Sequence, residues 1–166
     1  MTKPTTSDIL HFYLKSGLKI RVKGLNPNTD VTLDGITNDG KVFYCLSEKG
    51  YFKDSLSNIK PILHPLSSLT KGVLEDGKIP IVELAKLNLS KLNVANHSWK
   101  LGDGVACAIA ASYEIVFQYH DSGFYYKYKD NLRPVHNQLQ LFQQLIDWNF
   151  NCFGLDESEF IDKGSL

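Results

Sequence analysis

Between Val135 and Phe153 the chain reads VHNQLQLFQQLIDWNFNCF, its longest stretch with an unbroken helical period. Leu139, Phe142, Leu145, Ile146, Asn149 and Phe153 recur at three- and four-residue steps, and Leu141, Leu145, Trp148 and Cys152 form an adjoining stripe. The resulting apolar face is too wide for a helix with one side in water, which predicts a core helix docked on a sheet. Gly154 and Leu155 read as its stop, with glycine in the left-handed position and the leucine packing back on the last turn. This segment constrains the fold and names no chemistry.

The remaining pattern supplies the sheet. Thr5, Thr6 and Ser7 cap a short helix through Leu14, which Gly17 ends. Strict alternation in Leu18-Lys19-Ile20-Arg21-Val22-Lys23 then turns three apolar residues one way and three cations the other. Asp30 to Thr37 and Lys41 to Leu46 flank the hairpin signal Asn38-Asp39-Gly40, completing an expected three-stranded antiparallel meander. Ser47 to Asp54 reads as a polar connection containing Tyr51 and Phe52. Pro61 and Pro65 exclude a regular ladder from Lys60 to Thr70, predicting extended chain across the core surface with a single turn at Leu66 to Leu69. Asp76-Gly77 marks a turn and Pro80 the start of a helix to Leu87. Asn88 to Trp99 reads as a long loop, and Val105 to Ala111 fits a strand or a helix equally. Ser112 to His120 and Phe124 to Lys129 form a second hairpin, and Asn131 to Pro134 breaks the pattern ahead of the long helix. The fold class expected is α+β: an N-terminal antiparallel meander and a second hairpin packed against a long C-terminal helix, within one compact domain of residues 1–166.

A domain of this length buries about 70% of its unfolded surface and needs no metal or disulfide to hold it. Cys45, Cys107 and Cys152 are odd in number, widely spaced and set in apolar runs, as buried free thiols are. No run reaches membrane-spanning length, and MTKPTTSDIL lacks the apolar core of a secretory signal, so the expected setting is the cytoplasm of a host cell. With 18 basic and 18 acidic residues the formal charge is zero. That disfavours both a strongly basic nucleic-acid binder and an acidic mimic of nucleic acid. Locally the balance shifts: Lys3, Lys15, Lys19, Arg21 and Lys23 against Asp8 give 5 − 1 = +4 in the first 23 residues.

Catalytic signatures are weak. Gly102-x-Gly104 lacks the further residues of a phosphate-binding fingerprint, and the five histidines show no metal-ligand spacing. Asn88-Leu89-Ser90 and Asn96-His97-Ser98 match the glycosylation sequon; with no secretory signal read in MTKPTTSDIL, both are expected to be chance matches. Two surface strips carry more information. Lys19, Arg21 and Lys23 stand about 7 Å apart on one strand face, close to phosphate spacing, although lysines also guard an edge strand. Tyr125, Lys127 and Lys129 alternate with Phe124, Tyr126 and Tyr128, so one face mixes a ring with cations, suited to stacking a base or anchoring a protein. The expected function is therefore binding without catalysis or cofactor.

Four segments carry a resemblance. Tyr13-Leu14-Lys15-Ser16-Gly17-Leu18-Lys19, Ile62 to Thr70 (ILHPLSSLT), Ile79 to Ala85 (IPIVELA), and Leu141 to Phe150 (LFQQLIDWNF) running into Phe153-Gly154-Leu155 are together similar to small uncharacterised proteins of phages and prophages of Bacteroidota. The similarity covers roughly half the chain and leaves out Asn88 to Arg133. It implies a gene setting and carries over no functional residue. In that setting the expected activity is binding of a host protein, such as a CRISPR effector or other defence nuclease, in the manner of an anti-CRISPR inhibitor. A nucleic-acid-binding accessory protein, a virion or assembly component, and an enzyme whose site collects His64, His97 or His120 beside carboxylates are the alternatives.

Overall fold

The structure, a computed structural model, describes residues 5–26, 29–46, 50–89, 99–101, 107–110 and 115–166. Its elements run α1 (Thr6–Phe12), β1 (Lys19–Val22), β2 (Asp30–Ile36), β3 (Lys41–Cys45), β4 (Tyr51–Ser55), β5 (Ile59–Leu63), α2 (Pro80–Leu89), β6 (Trp99–Leu101), β7 (Cys107–Ala110), β8 (Ile115–His120), β9 (Gly123–Tyr128), β10 (Asn131–Pro134), α3 (Gln138–Asp147) and β11 (Ile161–Asp162). The fold is α+β. Two compact units divide the chain, residues 1–65 with 145–166 and residues 66–144.

The first unit is built on a six-stranded sheet in the order β11-β5-β1-β2-β3-β4. The meander read from the sequence is present as β1, β2 and β3. Its hairpin closes with the Thr37 amide on the Lys41 carbonyl at 2.8 Å and Gly40 at φ +73°, the left-handed conformation that the Asp-Gly signal anticipates. α1 is held by reciprocal bonds, the Asp8 amide to Thr5 Oγ1 and the Thr5 amide to the Asp8 carboxylate. One face of the sheet is closed by Leu18, Ile20, Leu33, Val42 and Leu63 packed with Ile9, Leu10 and Tyr13 of the α1 region. Each such residue contributes about 1.5–3 kcal/mol by leaving water.

Two segments differ from the sequence reading. Tyr51–Ser55 is a strand paired along β3, with Tyr51 opposite Cys45 and Lys53 opposite Phe43, where a polar connection was expected. Ile59–Leu63 is likewise a strand, antiparallel to β1 and parallel to β11, despite Pro61. The Lys23 amide donates to the Asn58 carbonyl at 2.7 Å. Counting back by twos gives the ladder bonds to the Arg21–Lys60 pair and leaves Ile20–Pro61 without them, so the missing N–H of the proline faces away from β1.

The long helix also ends early: α3 spans ten residues where nineteen were expected. Its stop is Asn149, at φ +61°, with the Asn149 amide on the Ile146 carbonyl and the Phe150 amide on the Leu145 carbonyl. That pair of bonds is a Schellman closure, and Phe150 and Leu145, both fully buried, supply its apolar contact. The helix stop thus falls at Asn149-Phe150, five residues before Gly154-Leu155. Beyond it the chain is extended beside His64, whose amide donates to the Asn149 carbonyl and whose carbonyl accepts from Asn151, both at 2.8 Å.

The second unit carries a five-stranded antiparallel sheet in the order β10-β9-β8-β7-β6. The expected hairpin is β8–β9, turning on Asp121 and Ser122, both at positive φ as a tight two-residue turn requires. Phe117 and Phe124 are buried beneath it, and Phe142 of α3 packs on Phe124 and Tyr119. The Gln138 side chain bonds both the amide and the carbonyl of Phe124. Helix α2 begins at Pro80 as predicted and buries Ile81, Leu84 and Ala85. Asn131–Pro134 is an edge strand on β9, where a break was expected. The Val135 amide reaches the Phe124 carbonyl, so alternation turns the backbone groups of Leu132 and Pro134 outward. Proline is tolerated there and blunts the edge. Most of the expected loop from Asn88 to Trp99, the Gly102-x-Gly104 turn, and Val105, Ala106 and Ala111 lie outside the described residues; Cys107–Ala110 is strand.

Candidate interaction surfaces

Within the first unit Lys19 and Arg21 point away from the core on β1, as their alternation requires. β1 lies between β5 and β2, so its cations are not the guards of an edge strand. Lys19 Nζ donates to Thr32 Oγ1 at 2.7 Å, and the Arg21 guanidinium meets Asp30 Oδ1 through Nε at 2.9 Å and a terminal nitrogen at 2.8 Å. Lys23 leaves the strand, its backbone bridging to Leu25.

The sheet register adds residues that the sequence reading missed. One row runs Lys19–Thr32–Cys45–Tyr51 across β1 to β4, a second Lys60–Arg21–Asp30, a third Gly35–Phe43–Lys53, and a fourth Lys41–Ser55. Cross-strand partners share a face, so Lys41, Lys53, Lys60, Phe43 and Tyr51 join the basic strip on the outer side of the sheet. Tyr51 is 77% exposed, and the Lys53 amine lies 5.2 Å from the centre of the Phe43 ring. Alternation in Lys41-Val42-Phe43-Tyr44 and Tyr51-Phe52-Lys53 was the available signal.

In the second unit Tyr125 and Lys127 do share a face of β9. Lys129 does not extend that strip: it sits in the following turn at φ +53°, with its amine 5.4 Å from the centre of the Tyr128 ring. Register places Val116–Lys127–Leu132 and Gln118–Tyr125–Pro134 in two rows on that face. Lys127 and Pro134 are exposed and Leu132 is 47% exposed. The opposite face holds buried Phe117 and Phe124. At β9 and β10 this side therefore presents aliphatic and aromatic groups with Lys127 as the cation among them.

Buried polar groups in the first unit serve packing. The Tyr13 hydroxyl donates to the Phe150 carbonyl and accepts from the Cys152 amide. Burial raises the Tyr13 pKa and pushes the Cys152 thiol up to about 12, so that sulfur stays protonated and unreactive at neutral pH. His64 is buried with Nδ1 unpartnered; burial first, and the charge of Lys163 second, pull its pKa down to about 4 against an opposing effect of Asp162. Asn151 closes a loop with bonds to the amide and carbonyl of Leu155. His120 stands exposed beside Asp121, 3.1 Å away, at the hairpin turn. Among the described residues no group of three His, Cys, Asp or Glu is placed to hold a metal, and no helix is long and apolar enough to cross a membrane. His97 and the Asn96 sequon lie outside the described residues, as does Ser90 of the other.

Comparison with protein-family models, with curated proteins and with solved structures finds no match for this chain.

Proposed function

We propose that this chain is a non-enzymatic binding protein that occupies a protein surface through the β9–β10 face. The observation that carries the reading is the exposure of Leu132 beside Lys127 and Tyr125 on a sheet whose other side is packed. Tyrosine is among the residues enriched at interface anchors, and the exposed leucine and lysine beside it add apolar area and charge. The similarity to phage proteins makes a host defence nuclease, a CRISPR effector among them, the partner class to test first, with inhibition as the outcome of binding.

The test is capture from lysate of a bacterial host by the tagged protein, comparing wild type with Leu132→Asp and Lys127→Glu. Both side chains reach solvent, so both variants should keep the wild-type melting temperature. A partner retained by wild type, lost by both variants, and slowed in nuclease turnover by the wild-type protein supports the proposal. Absence of a stable partner, or equal capture by all three proteins, contradicts it.

A further inference from the structure

The outer face of the six-stranded sheet combines three properties that the β9–β10 face lacks together: a surplus of basic over acidic residues, rings among those charges, and a floor of paired strands. Five basic residues stand on it, Lys19, Arg21, Lys41, Lys53 and Lys60. Asp30, Asp34 at the β2 irregularity and Asp39 at the hairpin turn offset three of them, leaving 5 − 3 = +2 on a chain whose formal charge is zero. Arg21 and Lys41 are the paired members, with Asp30 at 2.8 Å and Asp39 at 3.5 Å. Lys19 spends its bond on a neutral hydroxyl and keeps its charge for the surface. Lys60 makes no ion pair among the described residues.

The rings lie among these charges. Tyr51 ends the row that begins with Lys19, and Phe43 lies next to Lys53 in the adjoining row. Opposite Phe43 stands Gly35, with Phe43 Cδ2 3.7 Å from where a Cβ on the glycine would be, so the ring leans over a position without a side chain. Neighbouring strands are about 4.8 Å apart and alternate residues of one strand about 7 Å apart, which brings cations and rings within the reach of successive nucleotides.

From this placement we infer that the outer face binds a single strand of nucleic acid, its phosphates on Lys19, Lys53 and Lys60 and a base against Tyr51. Flat sheets with exposed rings take unpaired bases by stacking, which tolerates any sequence, while lysines follow the backbone. A duplex is the poorer fit, because its bases are stacked on each other and closed to the tyrosine. Zero total charge then sets the character of the interaction: weak at a distance, local to one face, and strongly reduced by salt.

Fluorescence anisotropy of a labelled single-stranded oligonucleotide of about 12 residues tests the inference. The wild-type protein should bind it, with log K falling linearly in log salt. Lys53→Glu combined with Lys60→Glu should weaken binding at least tenfold and reduce the salt slope by roughly 1.4, about 0.7 for each phosphate contact on a single strand. Tyr51→Ala should weaken binding and leave the slope unchanged. These side chains are exposed, and unaltered circular dichroism and melting temperature check that the variants are folded. Leu132→Asp should bind the oligonucleotide as wild type does, which separates this surface from the proposed protein-binding face. Absence of salt-dependent binding by the wild type, or equal binding by the lysine double variant, overturns the inference; capture of an acidic protein by this face without oligonucleotide binding overturns it as well.

Discussion

His64 shows how one side chain ties packing to pH. Its backbone is fixed on both sides by Asn149 and Asn151, and its ring lies 5.2 Å from that of Phe150, so the imidazole has no room to turn toward water. A histidine held near pKa 4 in the folded protein and near 6.5 when unfolded is neutral in both states above pH 6.5, where it leaves stability unchanged. Between pH 6.5 and 4 the unfolded chain binds a proton that the folded chain refuses, and stability falls with pH by an amount on the order of 3 kcal/mol. Urea unfolding at steps from pH 7 to pH 4 should show that loss in the wild type and a flatter profile in His64→Leu. Parallel profiles for the two proteins would show that His64 is not the group responsible. The sequence carried no sign of this role, because a histidine between a leucine and a proline reads only as part of an apolar run. Cys152 was legible in part: its apolar setting points to a buried thiol, and the side chain is half-buried, which keeps the thiol protonated.

Among the elements, alternation was the most readable signal and proline the most misleading. β1, β2 and β3 follow the pattern of their side chains, and the β8–β9 hairpin turns where its polar residues sit. Pro61 and Pro134 read as breaks in the sequence, which hides β5 and β10. Proline removes only one N–H, which in β5 would have pointed away from the β1 ladder and in β10 away from the β9 ladder. α3 was placed correctly and overextended, since period alone does not reveal that Asn149 adopts the left-handed conformation. The phase of the helix is also finer than its period: Leu141 is fully buried and Leu139 is 82% exposed, two residues apart. Leu141→Ala should therefore cost about 2–5 kcal/mol and Leu139→Ala less than about 0.5 kcal/mol, measured by chemical denaturation. Similar losses in both variants would mean that the helix presents a different face to the core.

At the scale of the whole molecule, total charge and composition hide what the folded chain separates. The basic residues near the N-terminus looked like a single strip, and the register shows them as part of a wider outer face that includes Lys53 and Lys60 from later strands. Tyr125 and Lys127 were likewise only half of a surface, completed by Leu132 and Pro134 of an unsuspected strand. Surface sites built across strands depend on pairing partners far away in sequence, which a linear reading does not supply; a strip along one strand is legible and its neighbours are not. No change in composition marks the division into two units either, because one boundary falls just after Pro65 and the other inside α3. The chain is proposed to act by binding a protein through the exposed β9–β10 sheet face. Amide hydrogen exchange, followed with and without the captured protein partner, tests it most directly. Slowed exchange across Asn131–Pro134, led by the outward-facing amide of Leu132, is the result predicted; unchanged exchange in that strand, with slowing confined to other segments, would contradict the account.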